Sequence, residues 1–326
     1  MSGVGAAGKP LAHASKVADQ LRVQRLTFIL MAAFFALAPL VVYPVFMMKV
    51  MCFALFACAF NLLIGFGGLL SFGHAMFLGT AGYVSAYSAK AWGVTPELAI
   101  LLGTAASLLL AVLTGLLAIR RQGIYFAMIT LALAQMVFFF CLQAPFTGGE
   151  DGIQAVPRGR LFGLVDLSSV AAMYVVVYVI FLGGFLLIYR IVHSPFGQVL
   201  KAIRENESRA TSLGYDADRY KLAAYVLSGG LAGLAGATKA LVFQLASLTD
   251  VHWSMSGEVV LMTLLGGLGT IFGPVVGAAV IITMQNYLAQ LGAWVTVVQG
   301  LIFVVCVLAF RRGIVGEIAN AIRKPL

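Results

Sequence analysis

Apolar runs set the plan of the chain. They occupy 26–43, 45–64, 68–89, 97–119, 123–143, 168–190, 222–245, 257–290 and 293–310. Most are close to the ~20 residues that a helix needs to cross a bilayer. The pattern predicts an all-α polytopic membrane protein with about 8–10 transmembrane helices, some of them broken or re-entrant. Connections between runs are mostly short. The exceptions are 144–167, rich in glycine and acidic residues, and 191–221, rich in charge.

Two runs carry internal breaks. The stretch 257–290 contains Gly266-Gly267-Leu268-Gly269 and then Gly273-Pro274, residues that interrupt a helix. It therefore reads as re-entrant, or as two short crossings. Earlier, Gly65, Gly67 and Gly68 precede Ser71-Phe72-Gly73-His74. The two segments match as GGLx[ST]FG, with one residue inserted in the second. Paired glycine-interrupted helices in two halves of a chain point to a transport site. The same glycines also suit plain tight packing, since Gly269, Gly273 and Gly277 fall on one helical face. Irregular backbone survives at membrane depth only under protein or watery cover.

Composition agrees with a membrane protein and excludes other classes. Hydrophobic residues make up 61% of the 326 residues and charged ones 10%, against ~25% charged in soluble domains. The net charge of +9 would suggest nucleic acid in a soluble protein. Here its placement argues for the positive-inside rule. With a tail over 1–25 set in the cytoplasm and the runs alternating, 16 of the 21 Lys and Arg fall on the inner side. Lys49, Lys90, Arg158 and Arg160 stay outside. Both termini, including a short tail over 311–326, are then cytoplasmic. The first run, with Ala36-Leu37-Ala38 inside it, imitates a secretory signal. Because apolar sequence continues past Pro39, it reads as a retained first helix.

Catalytic constellations are missing from the sequence. It has no GxxxxGK[ST] nucleotide loop, no HExxH and no GxSxG. The four cysteines lie in apolar runs without CxxC spacing and the four histidines are scattered, so neither a metal site nor a disulfide framework follows. Lys239 and Glu258 are the charges nearest membrane depth in the last third. Each is either functional or snorkels to the interface.

The segment after 190 is the most informative. Ser194-Pro195 reads as an N-cap followed by proline at the first helical position. Phe196, Val199, Leu200, Ile203, Ala210 and Leu213 recur on one helical face, and Lys201, Arg204, Glu205, Glu207, Ser208 and Arg209 cover the other. Gly214 ends the helix. Asp216 or Asp218 starts the next.

From Ser194 to Asp216 the chain resembles the coupling loop of ABC importer permeases, and more narrowly the LivM-type permease family of branched-chain amino acid importers. Other matching motifs are Asn61-Leu62-Leu63-Ile64-Gly65 leading into Leu70-Ser71-Phe72-Gly73-His74-Ala75, Gly123-Ile124-Tyr125-Phe126-Ala127-Met128, Thr147-Gly148-Gly149-Glu150-Asp151-Gly152, Leu264 through Thr270 with Gly273-Pro274, and Arg311-Arg312-Gly313-Ile314-Val315-Gly316. Two departures stand out. Only Ala210 and Gly214 keep the general coupling consensus, and Arg311 stands where the family often has proline. The resemblance implies a permease subunit without an ATPase site of its own. It would work with a second related permease subunit, two cytoplasmic ATP-binding subunits that use ATP, and a periplasmic substrate-binding protein, in the bacterial inner membrane. It also implies a translocation path or gate at Asn61, Gly67, Ser71, Gly73, His74, Tyr125, Gly266, Gly267, Gly269 and Gly273, with helix N-termini and backbone groups holding a zwitterionic amino acid. Thr147, Gly148, Gly149, Asp151 and Gly152 belong to the outer loop. Pro195, Arg204, Glu205, Glu207, Arg209, Ala210 and Gly214 are implied in ATPase coupling; either face of this helix could meet the partner, and if the apolar face lies on the membrane, Arg204, Glu205, Glu207 and Arg209 are left to do so. Urea or short amides are alternative cargoes, and a self-sufficient secondary transporter is the alternative mechanism.

Overall fold

The computed structural model describes residues 9–289, 294–309 and 313–322. Arg311, Arg312, Arg323 and Lys324, on which part of the charge argument rests, lie outside the described residues. So do the side chains of Lys9, Lys16 and Cys306.

Helices follow the apolar runs closely: α1 (Lys9–Leu37), α2 (Pro44–Asn61), α3 (His74–Ala91), α4 (Pro96–Ala118), α5 (Ile124–Gln143), α6 (Val170–His193), α9 (Ala217–Phe243), α10 (Trp253–Gly266), α11 (Gly273–Leu288) and α12 (Trp294–Ala309). Among the described residues, six stretches are long and apolar enough to cross a membrane: Arg22–Leu40, Pro44–Phe66, Pro96–Ala118, Ile124–Gln143, Val170–His193 and Ala217–Phe243. Proline opens α2, α4 and α11, where its missing N–H costs nothing. The run 257–290 is two helices with a turn between them, as Gly267 and Pro274 require.

Three boundaries differ from expectation. Helix α1 begins inside the polar tail, because its polar residues carry no breaker. Run 68–89 yields a helix only from His74, since Gly68 takes a left-handed φ of +70°. The tail over 311–326 contains a further helix, α13 (Gly313–Ile322). Two short antiparallel ladders also interrupt the all-helical plan. One joins β1 (Ile153–Gln154) to β4 (Leu245–Ala246), and the other joins β2 (Arg160–Leu161) to β3 (Val165–Asp166).

Helix α2 is the axis of the bundle. Met48, Met51, Ala54, Phe56, Ala57, Ala59 and Phe60 on it have no exposure at all. Helices α6, α9, α10 and α11 pack around it, and α3 packs on α9 and α4. Small residues allow the approach: a Cβ on Gly233 would overlap the Ser107 side chain. Such small-residue contacts bring membrane helices together where lipid supplies no hydrophobic drive between them. Helix α1 lies outside, held on α6 by Tyr178 Oη donating to the Ala32 carbonyl at 2.9 Å and Tyr189 Oη donating to Gln24 Oε1 at 3.1 Å. Helices α4 and α5 show Leu101, Leu113, Met128 and Met136 on their outer faces.

The bundle has two chemically different ends. Arg120, Arg121, Arg190 and the charged 191–221 segment gather at one. The loop 144–167, both ladders and Lys90, which donates to the Gln154 carbonyl at 2.8 Å, gather at the other.

Candidate functional site

Charge and helix caps build the first part of the site. Ser194 caps α7 (Pro195–Glu205), its Oγ accepting from Gly197 N at 3.4 Å. The single helix expected to reach Gly214 is in fact two. Asn206 leaves helical geometry at φ −158° and ψ 98° and caps α8 (Glu207–Ser212), its Oδ1 accepting from Arg209 N at 2.9 Å. An asparagine side chain competes for backbone donors in this way. Gly214, at φ +92°, follows α8, and Asp216 caps α9 by accepting from Arg219 N at 3.3 Å.

The apolar face of α7 packs on protein. Leu200 and Ile203 are buried, Ile203 meets Ala210 and Ala217, and Phe196 stacks on Tyr220 with centroids 5.5 Å apart. Lys201 lies over the Phe66 ring at 5.4 Å, and burial lowers its ammonium from the usual lysine range.

Two of the charges on the polar face bond back to the bundle, although Arg204 stays exposed and Glu207 is half-buried. Arg204 Nη1 donates to the Gly65 carbonyl, and its stem lies against Gly68. Glu207 Oε1 accepts from Lys221 Nζ at 2.5 Å and from Gln122 Nε2 at 3.0 Å. Lys221 is buried, so removing Glu207 would strand a cation. Glu205, Arg209 and Pro195 remain on the exposed face.

Arg204 reaches the first of two helix breaks. Helix α2 continues as one widened turn, Leu62–Phe66, and the chain then leaves helical geometry until Gly73. The second break, between α10 and α11, lies directly beside it. Asn61 joins the two. Its Nδ2 donates to the Thr270 carbonyl at 2.8 Å, and its Oδ1 accepts from Gly269 N at 3.1 Å. Both partners are backbone groups of the second break, satisfied at an irregular turn where no helix bond is available. Gly267, at φ +124°, is a position that an L side chain strains. Gly266 and Gly273 face each other across the turn, and a Cβ on Gly266 would overlap the Gly273 carbonyl.

The first break is closed by α5. Phe72 N donates to Thr130 Oγ1 at 3.2 Å, and Thr130 Oγ1 donates to the Ala127 carbonyl at 2.9 Å. A Cβ on Gly73 would come 2.7 Å from the Thr130 carbonyl. Ser71 is fully buried and its Oγ accepts from Gly73 N at 3.2 Å. His74 is also fully buried. Its Nε2 lies 2.8 Å from Ser228 Oγ, whose proton goes to the Ala59 carbonyl at 2.5 Å. Nε2 is therefore the protonated nitrogen, and Nδ1 is left as an acceptor without a partner. Ser256 of α10 completes the start of α3 by accepting from Ala75 N at 2.9 Å.

Asn61, Gly67, Ser71, Gly73, His74, Gly266, Gly267, Gly269 and Gly273 thus come together at the α7 end of the bundle. Tyr125 does not join them: it stands 71% exposed at the start of α5. The breaks lie at the end of α2, not halfway along it, and the 18 residues of α2 already span roughly 27 Å. Their cover is protein: Arg204, Asn61 and Thr130. Thr130 and Ser256 had no signal in the sequence, because each meets its partner across at least 58 residues.

At the opposite end, Thr147 is buried, with Oγ1 donating to the Ala144 carbonyl at 2.6 Å. Gly148, Gly149 and Gly152 have positive φ and carry the chain into β1. Asp151 lies exposed between them.

A family described as branched-chain amino acid transport system / permease component matches residues 44–307. The high-affinity branched-chain amino acid transport system permease proteins LivM of Salmonella typhimurium and Escherichia coli are each 27% identical over 278 residues, covering 77% of this chain. The chain spans 64% of the length of these relatives. The ribose import permease protein RbsC of Bacillus subtilis is 30% identical over 237 residues, covering 68% of this chain and 70% of its own. No solved structure matches the chain. The family is that of the permease subunits of ABC transporters, which carry no catalytic site of their own. The match covers most of the chain, including both helix breaks and the charged hairpin between α6 and α9, and the protein therefore belongs to this permease family.

Proposed function

We propose that the chain is one membrane subunit of an ATP-driven importer for branched-chain or related amino acids. Its partners would be a second related permease subunit, two cytoplasmic ATP-binding subunits and an extracytoplasmic substrate-binding protein. The observation that carries this reading is the two-sided α7–α8 hairpin. Its inner face holds the Gly65 carbonyl through Arg204 and the Lys221 ammonium through Glu207. Its outer face leaves Glu205 and Arg209 exposed. Such an element receives a push on one side and delivers it to the two breaks on the other. Under this reading the α7 end is cytoplasmic, as its arginines favour, and the breaks act as the gate nearest the ATPases.

The amino-acid class is supported by the family description and by the LivM relatives. A sugar is the second reading, because RbsC, a ribose import permease, is also similar.

Co-reconstitution with the ATP-binding and substrate-binding subunits tests the assignment. The joint variant Glu205→Arg/Arg209→Glu should weaken ATPase docking by about 2 kcal/mol or more if these charges are buried against the partner, a loss of roughly thirtyfold in affinity. Unchanged subunit stoichiometry and ATP hydrolysis would show that this face meets no ATPase.

A further inference from the structure

A second polar site lies far from the breaks. At the end of the bundle opposite α7, a cleft of about 400 Å³ opens between α2, α9, α10, α11 and the Leu245–Asp250 segment. Four ionisable groups line it: Lys49, Lys239, Asp250 and Glu258. Lys239 and Asp250 pair with each other, their side chains only 15% and 12% exposed, and Lys239 also lies 5.4 Å over the Phe53 ring. That pair is complete and forms one wall.

Lys49 and Glu258 differ from it. Both are half-buried and both face the cleft. Neither forms an ion pair among the described residues. Each stands about 8 Å inside its helix from this end, from the start of α2 at Pro44 and of α10 at Trp253. Charges held at such depth are costly and mark functional sites. A cation and an anion that share a cleft yet leave each other unpaired are complementary to a molecule carrying both signs. Between and beside them stand Phe53, Phe243 and Met255, apolar and adaptable surface for a hydrocarbon side chain. Gln285, also on the wall, adds a neutral donor and acceptor.

We infer that this cleft is a receiving site for a zwitterionic α-amino acid with an apolar side chain: Lys49 takes the α-carboxylate, Glu258 the α-ammonium, and Phe53, Phe243 and Met255 the side chain. The inference rests on the amino-acid reading of the protein's function and adds a chemical reason for it. A neutral sugar or urea can hydrogen-bond to these groups but carries no charges to neutralise the unpaired cation and anion together, and neither brings a hydrocarbon side chain to the apolar wall. The site also explains how substrate is held at the end remote from the breaks.

The test uses the full importer in nanodiscs, without its substrate-binding protein, and measures binding of L-leucine and of leucinamide, which keeps the ammonium and lacks the carboxylate. Uptake of leucine, ribose and urea by the same importer with its binding protein and ATP is measured in parallel. Lys49→Gln should weaken leucine binding by about tenfold or more, the usual value of a charge-assisted hydrogen bond, and leave leucinamide binding as in wild type. Retained leucinamide binding is also the check that this variant folds. Glu258→Gln should weaken both ligands, with Glu258→Asp recovering part of the loss. If wild type imports leucine but both variants bind and import it normally, the cleft assignment is wrong and the amino-acid reading stands. If wild type imports ribose or urea and no leucine, the amino-acid reading fails and the cleft assignment falls with it.

Discussion

Asn61 shows how one side chain can set the geometry of two distant segments. Its amide is used at both ends, as donor to Thr270 and as acceptor from Gly269, so an isosteric change separates the two roles. Asn61→Asp keeps the acceptor for Gly269 N and sets a carboxylate oxygen against the Thr270 carbonyl. Asn61→Leu removes both bonds and leaves two backbone groups without partners, at about 1–3 kcal/mol each. Thermal unfolding of the purified protein should therefore rank wild type above both Asp and Leu, with a melting temperature for Leu several degrees lower. Equal melting temperatures would mean that the second break is held by something other than Asn61. Gly73 is a steric case: Gly73→Leu drives a side chain into the Thr130 backbone, so the expected result is assembled protein with lowered uptake. Gly267→Leu, at φ +124°, should behave alike. Normal uptake in both would make these glycines packing residues and no part of a gate.

At the scale of elements, the breaks were legible and their meeting was not. Gly-Gly-Leu in each run announces a turn, yet nothing in sequence says that residues 61 and 269 touch. Apolar residues from Phe196 to Leu213 share one helical face and so predict one helix, although that face is interrupted between Ile203 and Ala210. Asn206 carried the missing signal, since Asn followed by Glu is also how a new helix begins. Periodicity separated the two faces of α7, but it could not show that the long Arg204 and Glu207 side chains bend back to the bundle. Asn206→Ala should cost α8 about 1 kcal/mol of cap. Hydrogen exchange over 207–212 should then rise roughly fivefold, while exchange in α7 stays as it was. A uniform change across both helices would indicate one cooperative unit.

The whole molecule places two similar units side by side. In each, a helix runs toward the α7 end, breaks, and returns: α2 with α3, and α10 with α11. Helix α11, at 16 residues shorter than the six spanning stretches, runs back from the second break. The apolar runs made the helical bundle legible, whereas the β1–β4 ladder depends on pairings between residues some 90 apart. Orientation is open to direct test. With Cys52, Cys58, Cys141 and Cys306 replaced, Arg160→Cys should react with an impermeant maleimide in intact cells, and Ser212→Cys only after permeabilisation. The reverse pattern would invert the topology.

Coupling between hydrolysis and the gate is the central claim, and Arg204 tests it most directly because its guanidinium holds the Gly65 carbonyl at the first break. The decisive measurement is leucine uptake and ATP hydrolysis in the same proteoliposomes carrying Arg204→Ala, with subunit stoichiometry checked. Loss of its charge-assisted bond to the Gly65 carbonyl should leave assembly and hydrolysis intact and lower the leucine carried per ATP by about tenfold. Wild-type leucine carried per ATP, or uptake that proceeds without ATP, would contradict the account.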